Sequence, residues 1–275
     1  MVMRARLESF AYAAMVSAAT AFIIFPVFFM VLTALKPTYE VITIPPRLIP
    51  SRLTVENFLT FVRAGNFGVH LWNSFYVASW TALLATALSS MAAYSLTRFE
   101  YRGKNVVGYL VLLTYMFPPM LLAIPLFLVF AKLELNDTYA GLILADTAFS
   151  LPFCLLLLRD FFATIPRQLE HAARIDGASA LRTAFAVTLP LSLPGIGAAL
   201  MFAFVLSWSD YLLALVFISR AELKTLPLGI STLVGTYTTD WGMVMAATTL
   251  VTIPPLIAVL LLHKYLLRGF GVASE

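Results

Sequence analysis

Six apolar stretches, each long enough to cross a bilayer, constrain this chain more than any other feature. Phe10 to Leu35, Leu71 to Thr97, Asn105 to Ala131 and Trp241 to Leu262 contain no lysine, arginine, aspartate or glutamate. Thr138 to Leu158 and about Leu193 to Ile218 contain one carboxylate each, Asp146 and Asp210. A hydrocarbon core of about 30 Å needs roughly 20 helical residues, so each stretch reads as a span. The chain is 61% hydrophobic and 12% charged, which excludes a soluble domain of this length. The expected fold is an all-α polytopic membrane protein, organised as a single transmembrane domain over residues 1–275 with spans at about 10–35, 71–97, 105–131, 138–158, 193–218 and 241–262. The first stretch is too long to be an ordinary cleaved signal peptide and lacks a small-residue cleavage site.

The connections sharpen this picture. Pro37, Pro45, Pro46 and Pro50 mark an irregular segment after the first span. Within it, Thr54 caps a short helix whose Val55, Phe58, Leu59 and Val62 form one apolar face suited to a membrane surface. Pro118, Pro119 and Pro125 predict a bend or unwound turn near Pro118 in the third span. Arg159 and Asp160 close the fourth. With six spans both termini share a side. That side carries eleven basic residues, Arg4, Arg6, Arg98, Arg102, Lys104, Arg159, Arg167, Arg174, Arg182, Lys264 and Arg268, against seven opposite. The bias places the termini, the polar tail Lys264 to Glu275 and the segment 159–188 in the cytoplasm. The net charge of +4 is scattered over loops, so it reports topology and not a nucleic-acid surface.

Segment 159–188 is a long polar interruption between the fourth and fifth spans. Pro166 suits a first helical turn, no breaker follows until Asp176 and Gly177, and Ser179 can cap a second helix. The pattern predicts helix, sharp turn, helix. Leu169, Ala172, Ala173 and Asp176 fall on one face, the two alanines giving a surface that another protein can approach closely, and Glu170 and Arg174 stand at a favourable i, i+4 spacing. Residues alone leave two readings open: a docking element, or an amphipathic connector lying on lipid headgroups.

Glu170-His171-Ala172-Ala173-Arg174-Ile175-Asp176-Gly177-Ala178, followed by Leu189-Pro190-Leu191, resembles the EAA motif of ABC importer permease subunits. His171 departs from the alanine usual there. The resemblance covers nearly the whole chain through Leu35-Lys36-Pro37, Glu56-Asn57-Phe58, Asn73-Ser74, Ala93 to Arg98, Trp208-Ser209-Asp210 and Arg268-Gly269, which are similar to carbohydrate-importer permeases of the maltose-type shorter class. It implies the type I importer permease fold, with the helix at 166–178 as a coupling helix seated on a cytoplasmic ATPase. The implied ATPase contacts are Arg167, Glu170, His171, Ala172, Ala173, Arg174, Asp176, Gly177 and Ala178. The implied partners are a second homologous permease in a heterodimer, two ATPase subunits holding ATP and Mg, an extracytoplasmic solute-binding protein and membrane lipid, in a bacterial or archaeal cytoplasmic (inner) membrane. Nucleic acid is not expected as a partner. The chain contains no Gly-x-x-x-x-Gly-Lys-Ser/Thr loop, so it is expected to be a transport subunit without its own ATPase site.

Two carboxylates inside spans demand explanation, because each costs a few kcal/mol unless it meets a cavity or partner. On one continuous fifth helix Asp210 lies roughly 24 Å past Pro194. Trp208, Asp210, Tyr211 and Asp146 are candidates for a solute path, with aromatic rings stacking on sugar faces and carboxylates accepting hydroxyl hydrogens. For both carboxylates the competing role is a hydrogen bond to a neighbouring helix. A different class of function, an ion-coupled secondary carrier or channel, would use Asp146 and Asp210 as coupling groups. Cys154 reads as a small buried side chain, and His70, His171 and His263 show no metal-ligand spacing. A membrane-embedded enzyme is disfavoured, since no nucleophile and base stand at useful spacing.

Overall fold

The computed structural model describes residues 2–45, 47–64, 66–235 and 239–269; Pro46 and the end of the polar tail, 270–275, lie outside them. In chain order the helices are α1 (Val2–Ala34), α2 (Thr38–Val41), α3 (Glu56–Ala64), α4 (Phe67–Arg98), α5 (Lys104–Met116), α6 (Pro119–Lys132) and α7 (Tyr139–Thr164). They continue as α8 (Arg167–Ile175), α9 (Ala180–Thr183), α10 (Leu189–Leu191), α11 (Leu193–Trp208), α12 (Leu212–Phe217), α13 (Leu226–Ser231) and α14 (Trp241–Gly269). Four helices are long and apolar enough to cross a membrane, and two bent pairs bring the count to six when each pair is one span.

Several boundaries differ from the sequence reading. The third stretch, 105–131, is two helices: α5 and α6 meet at 103°. Pro119 opens α6 and Pro118 sits extended before it, so the chain loses two N–H donors where a continuous helix would need them. The fifth stretch, 193–218, ends as a helix at Trp208, resumes at Leu212, and meets the preceding helical segment at 77°. The fourth runs past Arg159 and Asp160 to Thr164, because those charges mark the edge of the apolar medium and leave the helix free to continue. Similarly, α14 carries the sixth stretch on to Gly269, into the expected tail.

The chain forms two compact units, Met1–Phe67 with Ile230–Thr252, and Gly68–Gly229 with Ile253–Glu275. In the first, the turn after α1 is closed by buried polar groups. Lys36 Nζ donates to the Arg47 carbonyl at 2.6 Å, and Asn57 Nδ2 donates to the Ala34 and Lys36 carbonyls at 2.8 Å each. The Ser51 hydroxyl and N–H, both donated to Glu40, hold its carboxyl below the usual range. Thr54 Oγ1 accepts from the Glu56 N–H, as the capping pattern predicts, and α3 buries Asn57 and Phe61 while Val55, Leu59 and Val62 stay exposed. No side chain in the apolar window of α1 is buried within the chain.

The second unit packs α4, α7 and α11 through small side chains. Ala82, Ala85 and Ala93 of α4 share one apolar cluster with Cys154, Leu155 and Leu158 of α7 and Ala199 and Ala203 of α11. Small residues let helix backbones approach, which drives association where lipid supplies no hydrophobic force. Gly195 shows how close: a Cβ there would lie 2.6 Å from Phe161 Cγ. A second cluster gathers Val77, Ala123, Phe130, Leu142, Leu213 and Phe217. Beside it, Asn73 Nδ2 donates to the Glu222 and Lys224 carbonyls at 2.7 and 2.9 Å, and Tyr139 donates its hydroxyl to Asn73 Oδ1 at 2.7 Å. Asp137 ties the α6–α7 turn to the end of α12 by accepting the Ser219 and Arg220 N–H groups at 2.8 and 3.0 Å.

Candidate functional site

The helix-turn-helix forms where local sequence rules place it. Pro166 sits extended before α8, and Gly177 adopts φ +86°, the left-handed region that a residue without Cβ enters freely. The N–H of Gly177 then reaches the Arg174 carbonyl and that of Ala178 the Ala173 carbonyl, both at 3.0 Å, the paired bonds that end a helix sharply. Ser179 Oγ accepts from the Arg182 N–H at 3.3 Å and opens α9. One wider π turn, Ala184–Thr188, continues the chain towards α10.

Glu170 departs from the expected docking set. It is 4% exposed and is held inside the chain, where Arg98 Nε lies 2.6 Å from Oε1 and Thr188 Oγ1 donates to the same oxygen at 2.7 Å. It therefore pairs with a residue of α4 and not with Arg174 one helical turn away. Arg98 Nη2 also donates to the Phe162 and Ile165 carbonyls at 3.0 and 3.1 Å, which ties it to the last turn of α7 and to the residue that ends it. Arg167 Nη2 adds a bond to the Thr97 carbonyl at 2.8 Å. A guanidinium with a carboxylate on one edge and carbonyls on the other fixes α4, α7, α8 and the π turn as one junction.

With Glu170 turned inward, α8 presents the rest of its surface outward. His171, Ala172, Arg174, Asp176 and Gly177 are exposed, Ala173 and Ala178 half-buried, and Arg167 exposed apart from its bond. Leu169 and Ile175 are 46% and 86% exposed, followed by Leu181 and Phe185 on the adjoining segment. Sequence reasoning missed Arg98 and Thr188 as parts of this site. The available signal is that Arg98 closes the Ala93 to Arg98 motif, a position that its use as a topology marker leaves unexplained.

The four path candidates separate. Asp146 and Asp210 line one cavity of about 300 Å³, together with Tyr115, Phe117, Phe202 and Ser207. Trp208 and Tyr211 are not among its walls. Trp208 is 1% exposed and stacks on Phe204 with ring centroids 5.7 Å apart, so it cannot offer a face to a solute. Tyr211 lies at the helix break, 41% exposed. The continuous helix expected for these residues is absent: Asp210 sits in the break and accepts from the Leu213 N–H at 3.2 Å and the Ala214 N–H at 2.9 Å, starting α12 as a cap. Asp146, 3% exposed, makes the cross-helix bond expected of it, accepting the Ser207 hydroxyl on Oδ2, while its Oδ1 has no hydrogen-bond partner among the described residues.

Comparison with known proteins bears on both regions. Residues 85–272 match the family described as binding-protein-dependent transport system inner membrane component. The chain is 34% identical over 246 residues to the sulfoquinovosyl glycerol transport system permease protein SmoH of Agrobacterium fabrum, covering 90% of this chain and 86% of that one. It is also 34% identical over 230 residues to the trehalose/maltose transport system permease protein MalG of Thermococcus litoralis, covering 82% and 83% respectively. Its fold is similar to a chain of a bacterial ABC transporter involved in the import of the acidic polysaccharide alginate, with a TM-score of 0.81, 20% identity and coverage of 94% and 96%. The carrier or channel reading of Asp146 and Asp210 finds no support in these relatives and is set aside.

Proposed function

The chain belongs to the family of binding-protein-dependent transport system inner membrane components, as a multi-pass permease subunit of an ABC importer, and from that premise we propose a carbohydrate as its solute. It forms half of the translocation path, pairs with a second homologous permease, and receives solute from an external binding protein. ATP and Mg are bound by two separate ATPase subunits. The face bearing α8 and both termini lies in the cytoplasm, in keeping with the eleven basic residues on that side. The sugar assignment is supported by the trehalose/maltose relative.

The observation that carries the coupling role is the division of α8 into a fixed side and a free side. Glu170 is locked to Arg98 and Thr188, whereas Leu169, Ala172 and Ile175 face outward. A helix so anchored passes a push on its free face to α4 and α7 as a rigid body, which is what ATPase closure requires of it. The free residues from Arg167 to Ala178 are thus the contact surface, and Glu170 acts behind it as the anchor.

The test is reconstitution of the complete complex in proteoliposomes with trehalose as solute. Uptake that requires ATP and the binding protein and ignores ion gradients is the expected result. Uptake by this chain alone, driven by a gradient, would overturn the assignment. Paired cysteines at Ile175 and on the ATPase surface are expected to cross-link, and failure of every position on the free face to do so would remove the docking role.

A further inference from the structure

Two helix breaks converge on the cavity that holds Asp146 and Asp210. Phe117 and Pro119, from the α5–α6 break, form one wall; Ser207, Asp210 and Leu212, flanking the α11–α12 break, form another. Non-helical backbone within an apolar medium is tolerated where it lines a cavity or is buried in protein, and broken helices in transporters are where solutes are held. Among the described residues no lysine, arginine or histidine lines this cavity, so neither carboxylate meets a cation there. Asp210 has its oxygens engaged by backbone N–H groups, but Asp146 keeps Oδ1 buried without a donor among the described residues. A buried acceptor left unsatisfied costs about 1–3 kcal/mol, more when charged, so the resting arrangement holds an acceptor in reserve.

Building on the carbohydrate-importer reading above, we propose that this cavity is a contact site for a neutral saccharide, with Asp146 and Asp210 accepting hydroxyl hydrogens. The chemistry of the walls selects that class. Carboxylates are acceptors only and match the donor hydroxyls at the rim of a sugar ring. Tyr115, Phe117 and Phe202 supply flat apolar surface for its C–H faces. The volume of about 300 Å³ is at the small end of ligand sites and suits one ring at a time, as for a solute passing through in steps. The described walls offer an anion no cation to pair with, so a sulfonated sugar is disfavoured relative to a neutral one.

The experiment uses the reconstituted complex with trehalose and sulfoquinovosyl glycerol as probes. Asp146→Asn is expected to lower trehalose uptake by about 10- to 100-fold, the worth of a hydrogen bond to a charged group. The wild type is expected to prefer trehalose over the sulfonated probe. Trehalose uptake unchanged in Asp146→Asn overturns the site and leaves the importer reading standing, whereas a wild-type complex that moves no trehalose sinks the carbohydrate reading itself. A measurement on the wild type guards against a variant that fails to assemble. A diazirine-bearing trehalose analogue delivered by the binding protein with ATP should label Tyr115, Phe117 or Phe202, read by mass spectrometry, and excess trehalose should abolish that labelling. Labelling of none of the three, or labelling indifferent to excess trehalose, overturns the proposal.

Discussion

Glu170 and Asp146 are both buried carboxylates, 4% and 3% exposed, and the protein treats them in opposite ways. Glu170 is matched in charge by Arg98, takes a second bond from Thr188, and stands at a junction where four elements meet. Asp146 has one hydroxyl donor, no cation among the described residues of its cavity and one unsatisfied oxygen. A fully compensated charge holds parts together; a half-compensated one is available to something that arrives. The first is the mark of an anchor and the second of a contact site, although both residues are acids in an apolar chain.

Substitutions can break this contrast, beginning with the largest effect on stability. Removing one partner of the buried pair, as in Glu170→Ala or Arg98→Ala, leaves the other charge uncompensated and is expected to cost about 3–5 kcal/mol, read as a fall in the thermal midpoint of the purified complex. The double variant Arg98→Met with Glu170→Leu is expected to recover most of that loss, because it removes the unpaired charge. A double variant as unstable as either single one would deny that pairing is what Glu170 contributes. Gly177→Pro is next, at about 3 kcal/mol or more: proline cannot reach φ +86° and would lose the N–H bond to Arg174. Uptake is expected to vanish while the chain still inserts. Gly177→Ala meets open space, so its cost is conformational alone, about 1–2 kcal/mol. Unaltered melting of this variant would show that the turn is not fixed as described.

The comparison sharpens at the small end of the series. Asp146→Asn orphans no cation and is expected to change stability by less than about 1 kcal/mol, despite its large effect on uptake. A loss as large as that of Glu170→Ala would make Asp146 a structural group after all. Ile175→Glu, on the free face of α8, is expected to shift stability by no more than about 0.5 kcal/mol. Its signature is loss of uptake and of the ATPase response to the loaded binding protein, with the melting curve of this subunit unchanged.

Several elements of the two sites are legible in the order of residues. Pro166, Gly177 and Ser179 act through their own backbone geometry, so the limits of α8 and its turn follow from the chain locally. The α5–α6 break follows from Pro118 and Pro119 for the same reason, though its 103° angle does not. The break at Ser209 to Tyr211 is hidden, because no proline or glycine marks it and the surrounding run is apolar. Its faint signal is Asp210 itself, a residue type suited to starting a helix. Trp208 reads as a solute contact in sequence and is none in the fold, because adjacency along the chain says nothing about which rings packing covers.

The sequence by itself determined that this chain crosses a membrane several times and that a polar helix-turn-helix interrupts the spans. Both follow from interactions within about one helical turn or from the medium that an apolar stretch requires. Tertiary structure decided what each acid does. Arg98 lies 72 positions from Glu170, and Ser207 lies 61 from Asp146. Whether a buried carboxylate is neutralised or left open depends on partners that only packing brings within reach.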